Sequence, residues 1–124
     1  MYRPLMTVVG IVAMVLGVLI LFAPRLYLSL YVPGYAPDMA FAAQRLAPAV
    51  IGLGALMWVV RDLPAGAVAS KVSLIAALVW AGVAATGVFH YATGAASFNI
   101  VIAAASEVIL ALLFLVASRQ MRTA

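Results

Sequence analysis

Four stretches of nineteen to twenty-one residues, 5–23, 42–60, 72–92 and 98–117, hold only two charged side chains between them and occupy most of this 124-residue chain. In hydrocarbon every backbone N–H and C=O must be satisfied within the protein, and an α-helix does this within a single run. At 1.5 Å rise per residue each stretch covers about 28–32 Å, which matches the hydrocarbon core of a bilayer. Composition rules out water as the main solvent: 69% of residues are hydrophobic and 8% charged, against roughly 45–50% apolar in an average soluble domain. Ten charged side chains, seven basic and three acidic, could not cover the surface of so small a soluble fold. The pattern predicts an all-α protein, a single transmembrane domain over 1–124 built as an integral membrane four-helix bundle, with helices near 5–23, 42–60, 72–92 and 98–117.

The connections differ in character. Between the first two runs lies PRLYLSLYVPGYAPDM, where Tyr27, Tyr31 and Tyr35 recur every four residues among Pro24, Pro33, Gly34 and Pro37. Polar-tipped rings suit a headgroup boundary, so a short interfacial helix followed by a turn at Pro33-Gly34 is expected, with a plain loop as the alternative. RDLPAGAVASK forms a polar second connection, and the third, TGAAS, is so short that the helices flanking it must be antiparallel neighbours. The first run follows Arg3 as a secretory signal would. Its end, LFAPRLY, lacks a small-x-small cleavage pattern, and it is expected to stay as a membrane helix. Arg3, Arg61, Lys71, Arg119 and Arg122 fall toward the side holding both termini, and Arg25 and Arg45 toward the other. This asymmetry predicts a multi-pass protein of the cell inner membrane with both termini cytoplasmic.

Much chemistry is excluded. Without cysteine there is no disulfide, thiolate metal site or Cys nucleophile, and no metal-ligand spacing, phosphate loop or nucleophile triad occurs. The net charge of +4 is scattered over helix ends and makes no face for nucleic acid; membrane lipids are the expected partners, with a larger membrane complex or a homo-oligomer as further options. His90 is the only histidine, so a bis-histidine haem would need a ligand from elsewhere, and no cofactor is expected. No second signature of an enzyme accompanies Glu107 and His90, the one available acid/base pair.

The two charges inside the runs carry the functional question, because an ionisable side chain in a membrane helix needs a named partner. Arg45 lies near the start of the second run and Glu107 in the middle of the fourth, and Gln44, His90 and Asn99 fall in the same half of the bilayer. Three readings are open: a buried Arg45–Glu107 ion pair that fixes which helices touch, a binding site for a polar headgroup or small molecule, and a proton relay or acid/base site. A protonated Glu107 hydrogen-bonded across helices belongs with the first. Arg45 and Glu107 are expected to approach one another in the outer half of the bundle, directly or through one water or bound polar group, and Arg45, Glu107, His90, Gln44 and Asn99 form the candidate site. Pro48 is expected to disturb the second helix beside Arg45, since it leaves the Gln44 carbonyl without its usual donor. Gly10, Gly17, Gly52, Gly54, Gly82 and Gly87 suit close helix packing in lipid.

With RLAPAVIGLGALMWVVRD read as a helix that has Arg45 near its start and Gly52 and Gly54 at mid-depth, the chain resembles small bacterial four-helix membrane proteins of broadly DoxX-like type. The resemblance spans Arg45 to Glu107 and implies a four-helix bundle without assigning an activity. The chain is similar in length to small four-helix drug exporters, but that resemblance implies a carboxylate in the first helix, where this sequence has none. Two functions are carried forward: a structural or accessory membrane protein with a polar site in the outer leaflet, and a binder or transporter of small amphipathic molecules or lipids using Arg45 and Glu107.

Overall fold

The computed structural model describes residues 1–123, with side chains through Arg122. The chain is all-α: α1 (Tyr2–Phe22), α2 (Pro24–Tyr31), α3 (Met39–Val60), α4 (Ala67–Ala92) and α5 (Asn99–Thr123). The helices α1, α3, α4 and α5 are each long and apolar enough to cross a membrane. They extend beyond the expected runs: α1 and α3 begin three residues early, α4 five residues early, and α5 continues past Ala117. Hydropathy marks where hydrocarbon lies, whereas helical hydrogen bonding continues into the wetter boundary.

Proline sets both ends of α2. A residue before proline is pushed out of the helical region. Ala23, before Pro24, takes φ −140° and ψ 56° and ends α1; Val32, before Pro33, takes φ −106° and ψ 110° and ends α2. Pro24 then opens α2 at a position where a missing N–H costs nothing. The chain reverses at Pro33-Gly34 with Gly34 at φ +70°, the conformation that the third residue of a type II turn requires. The segment between the first two spans is thus a short helix and a turn, and α3 runs unbroken through Pro48.

The spans associate as two tight pairs, α1 with α3 and α4 with α5, while α3 hardly touches either α4 or α5. Glycine makes the first pair close. A Cβ on Gly54 would lie 2.5 Å from the Gly10 carbonyl oxygen and 2.8 Å from the Met14 nitrogen, and one on Gly17 would lie 2.9 Å from the Ile51 nitrogen. Backbone contact of this kind is how helices gain packing energy in lipid. The second pair is joined by serines at one end, where Ser118 Oγ donates to the Ser70 carbonyl at 2.8 Å. That leaves Ser70 Oγ as the donor in the 3.1 Å contact between the two hydroxyls.

The pairs meet in the half that holds the termini. Tyr2, Met6 and Val9 of α1, Met57 of α3, Ala69, Ala76 and Ala77 of α4, and Phe114 of α5 form the buried cluster there. The Tyr2 hydroxyl donates to the Val60 carbonyl at 2.8 Å, and the Gly66 N–H to the Met121 carbonyl at 2.9 Å. Elsewhere the outer faces are apolar and exposed, including Val15, Phe22, Leu56, Leu78 and Ile102, as lipid-facing surfaces should be. Leu53, Leu56, Val72, Ile75 and Trp80 line an apolar groove of about 260 Å³ between α3 and α4.

Candidate functional site

In the half away from the termini, α2 takes the place of a tighter helix junction. Its last carbonyls have no partner within so short a helix. The turn between α4 and α5 supplies donors: Ser97 Oγ at 2.7 Å and Asn99 Nδ2 at 3.0 Å to the Leu30 carbonyl, and the Ser97 N–H at 2.7 Å to the Tyr31 carbonyl. That turn is shaped by Gly94 at φ +78°, which lets the Ala95 N–H reach back to the His90 carbonyl. So α2 is covalently part of the first pair and hydrogen-bonded to the second.

Beneath α2 lies a partly open cleft of about 420 Å³. Its roof is Tyr27 and Tyr31, one helical turn apart and packed edge to face at 5.0 Å between ring centroids, together with Val32. One wall is the α4 face carrying Val83, Thr86, Gly87 and His90, spaced three, one and three residues apart so that all share a side of the helix. Ile100 and Glu107 of α5 stand two turns apart on the opposing face, and Ala95 and Ala96 close the end. Gly87 allows the close approach of α4 and α5 here: a Cβ on it would sit 3.2 Å from Ile100 Cγ1.

Glu107 is the polar base of the cleft. It lies eight residues into α5, about 12 Å below the start of that helix. Its Oε2 is fully enclosed and has no hydrogen-bond partner among the described residues. A buried acceptor left unmade costs about 1–3 kcal/mol, more if charged, and Glu107 carries that cost at the base of the cleft. Above it, the Tyr27 phenol is held above its ordinary value, first by burial, then by Tyr31 and by the Glu107 carboxylate. Thr86 spends its hydroxyl proton on the Val83 carbonyl at 2.8 Å and offers only acceptor capacity to the cleft. His90 stands exposed at the cleft's edge, its ring edge-on to Phe89 at 5.4 Å.

Of the expected site residues the structure brings Glu107 and His90 to one cleft and leaves three outside it. The Arg45–Glu107 approach is corrected: among the described residues neither side chain forms an ion pair, and Arg45 is exposed on α3 and is not part of the cleft. The reason is pairing rather than depth. Arg45 lies six residues into α3, about 9 Å down and close to the level of Glu107, but α3 packs on α1 and hardly meets α5. Gln44 donates through Nε2 to the Leu21 carbonyl at 2.9 Å and so caps the end of α1. Asn99 caps the end of α2. Tyr27 and Tyr31 are the site residues that sequence reasoning assigned elsewhere; their spacing of four signalled a shared face, but not that the face would turn inward.

Comparison with known protein families, with curated proteins and with solved structures gave no match.

Proposed function

We propose that this is a multi-pass protein of the bacterial inner membrane that binds a small amphipathic molecule in the cleft under α2. The carrying observation is Glu107, a carboxyl group with no hydrogen-bond partner among the described residues, at the base of a cleft whose other walls are largely apolar. Apolar walls with a few convergent polar groups, at about 420 Å³, suit a small ligand that is itself part polar and part apolar. A structural role for Glu107 would call for a partner such as Arg45, and no such pair is made among the described residues. A polar group held at this depth without one is the pattern of a membrane binding site.

The five-to-two bias of basic residues supports cytoplasmic termini, and with that orientation the cleft opens in the outer half of the bilayer. Membrane lipids surround the exposed faces and form the reservoir from which an amphipathic ligand would enter. The DoxX-like resemblance is consistent with this bundle and supplies no ligand.

Native mass spectrometry of the protein purified from membranes tests the reading. The wild type should carry a small amphipathic adduct, and Val83→Trp, which fills the cleft from an exposed wall position, should lose it. An adduct retained by Val83→Trp would place the ligand elsewhere and overturn the proposal.

A further inference from the structure

The charge of the cleft walls limits which polar head they suit. Glu107 is the carboxylate at the base, and no Lys or Arg lines the cleft; the one wall residue able to carry positive charge is His90, exposed at the edge. A phosphate, sulfate or carboxylate head would be brought toward Glu107 with no fixed cation to offset the repulsion. A cationic head would give the Glu107 carboxyl group the counter-charge it lacks, and charge-assisted hydrogen bonds are about twice as strong as neutral ones.

The roof points the same way. Aromatic faces attract a cation lying within about 6 Å of the ring centroid, and rings combined with an acid recognise ammonium groups. Tyr27 and Tyr31 bring two rings to the cleft with their planes 62° apart, and Tyr27 lies near enough to Glu107 to feel its charge. Ile100, Val32 and the methyl groups of Ala95 and Ala96 offer apolar contact to the carbon substituents of such a head.

We infer that the cleft receives the ammonium head of an amphipathic cation, with Glu107 as its counter-ion and the rings of Tyr27 and Tyr31 as its roof. The inference rests on the reading of the cleft as an amphiphile site and adds the sign of the ligand's charge. A free alkylamine and an aminolipid headgroup share this chemistry. They differ in that the headgroup brings a phosphate for which the cleft has no Lys or Arg.

Isothermal titration of the full chain in maltoside micelles, corrected against empty micelles, separates these cases with octyltrimethylammonium, octyl sulfate, octanol and dihexanoyl phosphatidylethanolamine as probes. Octyltrimethylammonium should bind at least about tenfold more tightly than octyl sulfate or octanol. Glu107→Gln should weaken it by about tenfold or more, Tyr27→Leu by several-fold, and Tyr27→Phe, which keeps the ring, by little. Binding of the phosphatidylethanolamine as well assigns a lipid headgroup, and its absence assigns a free amine; both uphold the cation. Octyl sulfate or octanol binding as tightly as the ammonium overturns the cation and leaves the amphiphile site standing. If none of the four binds, both fall. Should a variant fail to fold, the ranking of the probes on the wild type still decides.

Discussion

Replacing Glu107 by Gln separates the two accounts of that residue without changing its size. Breaking one half of a buried ion pair costs about 3–5 kcal/mol. Because Glu107 has no such partner among the described residues, Glu107→Gln should leave thermal stability in detergent unchanged or raised, and Arg45→Met should do the same. A loss of several kcal/mol in either would show that the two are paired after all. Tyr27 gives a second measurement. Its raised value keeps the phenol neutral past the ordinary value of about 10, so its contribution to stability is present below that pH and is lost as pH rises through the higher folded value. The phenolate absorbance missing from Tyr27→Phe should therefore belong to a late-titrating group. Glu107→Gln should move that titration down in part only, since burial is the larger cause. Glu107 and His90 were legible in the sequence because a polar residue in an apolar run stands out. What stands opposite Glu107 was not, because position along a run gives depth and says nothing of which helix lies across from it.

At the level of elements, the glycines of α1 and α3 divide sharply by neighbour. Gly54 meets backbone at 2.5 Å and 2.8 Å, whereas a Cβ on Gly52 meets nothing within 4 Å. Gly54→Val should cost about 1–3 kcal/mol or more and loosen α1 from α3, and Gly52→Ala should be tolerated; thermal midpoints in one detergent compare them directly. The sequence showed that glycines were available for packing, but two residues on one helix face different ways, and only the partner decides which of them is used. The ends of α2 were legible from Pro24 and Pro33, since pre-proline sterics act locally. Its docking was not, because the donors come from Ser97 and Asn99, more than sixty residues away. Ser97→Ala combined with Asn99→Ala removes two side-chain hydrogen bonds worth about 0.5–1.5 kcal/mol each. Amide exchange over residues 24–31 should speed up while the four spans keep their protection.

On the scale of the molecule, the junction of the two pairs depends on the half that holds the termini. Phe114, fully buried there, should cost about 3–5 kcal/mol when cut to Ala, more than any single change at the cleft. For topology, an impermeant thiol reagent should label a Cys introduced at Ser97 in intact cells and miss one introduced at Ala67; the reverse would invert the orientation. The number of spans and their antiparallel order were legible because length and hydropathy set them. The pairing of α4 with α5 was legible from the short turn between them, but that of α1 with α3 was not, since apolar faces look alike to lipid and to one another, and small-residue packing breaks the tie. That division also orders the protein's synthesis. The first pair is complete by Val60, before any of the second has been made, so it can settle in the membrane alone with the final carbonyls of α2 still open to water. Only when the ribosome has delivered Ser97 and Asn99 can α2 be fastened, and Glu107 enters the bilayer after that. The cleft cannot be completed before the fifth helix is made, and a chain stalled short of it would hold two tyrosines over a site with no acid beneath them.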